Sequence, residues 1–86
     1  MTYTIIISKK VKKKLIALSR TDRVRITEKI EFLGFDPDHS SLDMKKLSGE
    51  PFYRLRVGDW RIIFDRDDRL RIIAIEKLAA RGGVYK

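Results

Sequence analysis

Three arginines fall within the stretch Tyr53-Arg54-Leu55-Arg56-Val57-Gly58-Asp59-Trp60-Arg61-Ile62-Ile63-Phe64, at a spacing that puts them on one surface. If Gly58-Asp59 is a two-residue hairpin loop, Val57 pairs with Trp60 and Arg56 lands opposite Arg61. Arg54 then lies two residues further along the same face. Like charges directly opposed on neighbouring strands repel, so the arrangement gains nothing unless an anion sits between them. A phosphodiester fits that role, because the guanidinium fork offers parallel donors to its oxygens. The plainer reading is that a half-buried sheet needs charged residues on its solvent face anyway. Three on one face, two of them opposed, favour the anion site.

Other residues could join it. Lys45 and Lys46 immediately precede the arginine strand and could meet the same polyanion, although a lysine pair in a loop is usually solvated surface. Lys9, Lys10, Lys12, Lys13 and Lys14 crowd the start of a helix, where the macrodipole disfavours cations; Lys9, Lys10 and Lys13 are candidates for nonspecific attraction of nucleic acid. The chain closes with Arg81-Gly82-Gly83-Val84-Tyr85-Lys86. One reading is a frayed tail. In the other, the glycines bend the backbone so that Arg81 and Tyr85 return to the arginine face, where a phenol can stack on a base or hand a proton to oxygen. His39 is the single histidine, which excludes a paired-histidine ribonuclease mechanism within this chain. Asp67-Asp68 could hold magnesium, but turn chemistry explains it better.

The elements that must position these groups follow from patterning. Tyr3 to Ile7 suits a short strand. Ser8 can cap a helix in which Val11, Leu15 and Leu18 recur at helical spacing. Thr21 or Asp22 can cap a second helix carrying Ile26, Ile30 and Leu33, which Gly34 and Asp36-Pro37 end. From Asp38 to Pro51 the chain is polar and turn-rich. Three strand signals follow, Phe52 to Val57, Trp60 to Asp65 and Leu70 to Ile75, and the register of the last pair can be drawn with either face buried. The expected fold is α+β: an N-terminal strand and an αα-hairpin packed on a mostly antiparallel sheet of about four strands. Tyr53, Leu55, Val57, Trp60, Ile62 and Phe64 would face the helices, and Arg54, Arg56 and Arg61 would face out.

The 86 residues suffice for one domain, residues 1–86, with no room for a separate cofactor domain. Cysteine is absent, so a disulfide framework and thiolate metal sites are excluded. The N-terminal apolar run is too short for a signal peptide and nothing approaches a membrane span, which makes the cytoplasm the expected location. A net charge of +8 points to a polyanionic partner, while 43% hydrophobic residues argue that the cations decorate a folded core.

The run Lys46-Leu47-Ser48-Gly49, the arginine hairpin from Tyr53 to Phe64, and the ending Arg81 to Lys86 together resemble the RelE/ParE superfamily of bacterial toxin-antitoxin proteins. The order of strand, two helices and three or more strands fits as well. The RelE branch cleaves messenger RNA in the ribosomal A site without metal or cofactor: the ribose 2′-hydroxyl attacks the adjacent phosphate, leaving a 2′,3′-cyclic phosphate and a 5′-hydroxyl. By this resemblance Arg54 and Arg56 match the basic pair on the central strand, Arg61 matches the arginine that holds the scissile phosphate, and Tyr85 matches the C-terminal tyrosine. It further implies a cognate antitoxin whose acidic segment folds on binding, a higher-order toxin-antitoxin complex, and the ribosome and messenger RNA as partners.

Two departures stand out. Well-known RelE proteins carry lysines where Arg54 and Arg56 stand, and arginine does not give up its proton; the base would then be Tyr85, Lys46 or Lys77, or positioning and charge alone would serve. Leu78-Ala79-Ala80 replaces basic residues, a loss that Arg81 could offset. The rivals are a ParE-like gyrase poison acting through protein contacts, which has no stated use for the arginine set and Tyr85, and a nucleic-acid-binding module without toxicity.

Overall fold

A computed structural model describes residues 2–80. Strand β1 (Thr4–Ile7) leads into helix α1 (Lys9–Ala17) and helix α2 (Arg20–Phe35), followed by β2 (Met44–Lys46), β3 (Phe52–Val57), β4 (Trp60–Asp67) and β5 (Ile72–Ala80). The strands form one sheet in the order β1-β5-β4-β3-β2. All neighbours run antiparallel except β1, which returns alongside β5 in parallel, Ile7 against Ile75. Both helices cover one face. Val11 and Leu15 of α1 and Ile26, Ile30 and Leu33 of α2 pack on Leu55, Val57, Ile62, Phe64, Ile73, Ile75 and Leu78 of the sheet.

Local signals account for most of this. Ser8 caps α1, its Oγ accepting from the Val11 N–H at 3.2 Å. Ser19, and not Thr21 or Asp22, caps α2 by accepting from the Asp22 N–H. The Ser19 backbone is extended while Thr21 and Asp22 already lie in the first turn, where the Asp22 carboxylate complements the helix dipole. Gly34 sits inside the last turn of α2, because an added Cβ would stand 2.8 Å from Ile5 Cγ1. It serves the close approach of α2 to β1.

Two expectations about the sheet need correction. The described residues hold five strands where about four were expected, since the loop from Asp38 to Pro51 contains β2, which pairs Met44 with Leu55, Lys45 with Arg54 and Lys46 with Tyr53. The last strand runs on to Ala80 instead of stopping at Ile75, after a turn built by Asp67 Oδ1, which accepts from the Arg69 and Leu70 N–H groups. Its register is fixed by a bulge: Ile63 faces Lys77 while Phe64 faces Ile75, leaving Glu76 as the extra residue. The bulge lets Ile73, Ile75 and Leu78 all bury on the helix side despite their uneven spacing. Among the described residues no helix is long and apolar enough to cross a membrane.

Candidate anion-binding face

The β3–β4 hairpin has the expected register, with Val57 against Trp60 and Arg56 directly opposite Arg61. Gly58 takes a positive φ of 58°, as such a turn demands. Turn and ladder together place Arg54, Arg56 and Arg61 on the sheet face turned away from the helices, with Lys45 beside Arg54 and Lys77 beside Ile63. Lys45 and Lys77 are exposed there. Lys46 departs from them: it pairs with Tyr53, has the opposite parity, and its Nζ lies 5.4 Å from the Tyr53 ring centroid.

Arg61 keeps the expected outward parity but is buried there. It is only 7% exposed, and its neighbours on the same face, Ile63 and Ala79, are 7% and 5% exposed. Arg61, Ile63 and Ala79 form a buried strip along β4 and β5. Arg61 Nη1 donates to the carbonyls of Trp60 at 3.2 Å, the long end of the usual range, and of Gly58 at 3.4 Å, beyond it. Its Nε is buried with no hydrogen-bond partner. Among the described residues no carboxylate forms an ion pair with Arg61. A buried cation left to weak carbonyl contacts is costly, and an arriving anion would relieve that cost.

Arg54 and Arg56 are treated differently. The Asp43 carboxylate, just ahead of β2, places one oxygen 4.0 Å from Arg54 Nη2 and the other 3.9 Å from Arg56 Nε. The sequence does not single out Asp43, because the strand that orients it carries no strand signal of its own. On the far side of the hairpin tip, Arg25 of α2 lies against Gly58, where an added Cβ would stand 2.9 Å from Arg25 Nη2. Arg25, Lys29, Phe32 and Arg56 line a cleft of about 360 Å³ there. The sequence carries no signal for the α2 cations, whose spacing is that of an ordinary solvated helix face.

Of the helix lysines, Lys10 and Lys14 line a cleft of about 480 Å³ along β5, together with Val11, Glu76, Lys77 and Leu78. Lys9 and Lys13 are exposed on α1 and do not line it. Arg81 and Tyr85 lie outside the described residues.

A second arginine provides the contrast. Arg66, on the helix-side parity of β4, forms a bidentate pair with Asp38 at 2.9 and 3.0 Å and a further pair with Asp68. Tyr3 presents its ring to the guanidinium and its hydroxyl donates to Asp68 at 2.7 Å. Hydrogen bonding to Arg66 holds the Asp38 and Asp68 carboxyls below the usual carboxylate range, and the Asp68 bond raises the Tyr3 phenol. Arg66 is locked in its charged form.

The fold and the cationic face define a compact α+β domain with a small, mostly antiparallel sheet, a helical hairpin on one side and an anion-binding candidate on the other, and comparison with known proteins gives the family. The family described as "ParE toxin of type II toxin-antitoxin system, parDE" matches residues 5–81. A putative toxin RelE1 of Methanocaldococcus jannaschii is 36% identical over 90 aligned positions, covering 100% of this chain and 98% of the relative. The archaeal RelE of the RelE-RelB complex from Pyrococcus horikoshii superposes with a TM-score of 0.84 at 34% identity, covering 96% of this chain and 99% of that one. The RelB-RelE complex of Methanococcus jannaschii gives 0.75 at 27% identity, over 93% and 94% of the two chains. The chain belongs to the RelE/ParE superfamily of type II toxin-antitoxin toxins.

Proposed function

We propose that this toxin is a ribosome-dependent messenger RNA endonuclease of the RelE type, silenced by a cognate antitoxin. The observation that carries the reading is Arg61: a buried guanidinium opposite Arg56, with long carbonyl contacts and a bare Nε. Exchanging those contacts for charge-assisted bonds to a phosphate is favourable. In the reaction the ribose 2′-oxygen forms a bond to the adjacent phosphorus while the bond to the 5′-oxygen breaks. Arg54, Arg56 and Arg61 hold the added negative charge of the pentavalent phosphorus, the contribution usually largest in such sites. Arginine cannot accept the 2′-proton; of the lysine candidates, Lys77 stands on the arginine face and Lys46 does not. Tyr85 acts on a base or a proton, and Lys45 and the α1 lysines meet ribosomal RNA.

The RelB bound to the Pyrococcus and Methanococcus relatives supports an antitoxin partner here, and a net charge of +8 suits an acidic segment. The reading is tested by inducing the chain alone in bacteria and mapping messenger RNA 5′ ends, with an Arg61→Ala, Tyr85→Ala double variant as control. New 5′-hydroxyl ends within translated codons, absent in the control, are expected. The ParE family match favours one alternative, a gyrase poison. Growth arrest with intact messages, retained in the double variant, would establish that instead. No growth effect would leave a nucleic-acid-binding module.

A further inference from the structure

Asp43 is held where a substrate phosphate has reason to be. The Arg56 N–H donates to the Asp43 carbonyl at 2.9 Å, which extends the β2–β3 ladder by one step and puts the Asp43 side chain on the arginine face, two residues before Lys45. One carboxylate oxygen is directed at each guanidinium, 4.0 Å from Arg54 and 3.9 Å from Arg56. Asp43 thus places an anion between Arg54 and Arg56, while Arg61, directly opposed to Arg56, meets no carboxylate among the described residues. Two oxygens on one centre, one for each arginine, also reproduce the pair of non-bridging oxygens of a phosphodiester.

The contacts are built to be given up. Both exceed hydrogen-bond length, so charge alone holds them. The Asp43 side chain is 58% exposed, whereas that of Arg54 is only 19% exposed. A carboxylate so placed can turn into water at little cost, because exposed pairs contribute little. It cannot stay, however: a phosphate at the same guanidiniums would sit beside it and be repelled.

We infer that Asp43 is an internal stand-in for the substrate phosphate, occupying Arg54 and Arg56 until RNA displaces it, and thereby setting the affinity and selectivity of the site. This rests on the proposed RNA-cleaving reading. A lone monovalent anion gains too little to dislodge the carboxylate. A strand that engages Arg61, the flanking lysines and a stacking side chain together gains enough. Asp43 is thus a specificity-determining residue.

The test uses the full chain and an RNA oligonucleotide carrying a 2′-deoxy sugar at the cleavage position, with binding read by fluorescence anisotropy. Asp43→Asn keeps the shape and removes the charge; Asp43→Ala checks that the result does not depend on the amide. Both should bind about three- to tenfold more tightly than the wild type, with inorganic sulfate becoming a more effective competitor and the melting temperature unchanged. A merely structural role moves binding the other way, because Arg54 and Arg56 would lose their guide. Equal or weaker binding by the two variants overturns the inference. Arg61→Ala, run alongside, separates the two levels: if it leaves RNA affinity unaltered, the phosphate-site reading itself fails. If it weakens binding while Asp43→Asn does not tighten it, only the stand-in role falls.

Discussion

Arg61 and Arg66 belong to the same strand and are both largely buried, yet their surroundings are opposites. Arg66 has a bidentate carboxylate in Asp38, a second in Asp68 and an aromatic face in Tyr3. Arg61 has two long bonds to carbonyls of its own hairpin and a buried Nε with no partner. A guanidinium whose charge two carboxylates already neutralise ties the Asp38 loop and the β4–β5 turn to the sheet and offers little to an anionic ligand. An unsaturated one costs stability and retains the donors that a phosphate needs. Residue type alone does not separate the two, and arginine content by itself is a poor guide to a site.

The contrast can be broken by substitution. Arg61→Ala should lower messenger RNA cleavage by about 100-fold or more, in the range found when one oxyanion donor is removed. Its effect on stability should stay within about 1 kcal/mol, because removing an unpaired buried charge offsets the lost packing of its stem. Rate assays on programmed ribosomes and thermal melts check both halves. Arg66→Ala should do the reverse, lowering the melting temperature by several degrees while leaving cleavage per folded molecule within about threefold, as befits a site distant from the charge that develops.

Acid sharpens the comparison. Arg66 holds the Asp38 and Asp68 carboxyls below their ordinary value of 3.8. Their contribution to stability is therefore complete above that value and is lost as pH falls through the lower values they have in the folded protein. Melting temperatures recorded down to about pH 2.5 should show the wild type losing this increment below about pH 4, while Arg66→Ala lacks it throughout. The smallest effect is expected at the neighbouring lysines. Lys45→Ala, on the arginine face, should weaken binding of a noncleavable RNA about two- to fivefold, and Lys46→Ala, turned to the Tyr53 ring, should leave it unaltered.

What could be read in advance, and what could not, follows from how local each signal is. The turn at Gly58-Asp59 sets the pairing of the next residues on either side, so Arg56 opposite Arg61 was legible, as was the alternation that buries Leu55, Val57, Ile62 and Phe64. The Ser8 cap and the core positions of α1 and α2 needed only their own neighbourhoods. β2 did not reveal itself because Met44-Lys45-Lys46 is short and mostly polar, and it exists through its partner, β3. With β2 unseen, Asp43 had no face. The extra residue Glu76 breaks the alternation that a register argument depends on, which is why the last hairpin could be drawn two ways. Burial of Arg61 is a tertiary fact that no spacing within the hairpin encodes.

The most direct test of the central claim observes both arginines in one sample. Two-dimensional NMR of the guanidinium Nε–H groups, recorded on the full chain as a noncleavable RNA oligonucleotide is titrated in, should move the Arg61 signal progressively and slow its exchange with water, with the Arg66 signal stationary. If Arg61 stays fixed while the RNA binds, or if both arginines respond alike, the distinction between a saturated and an anion-ready guanidinium is contradicted.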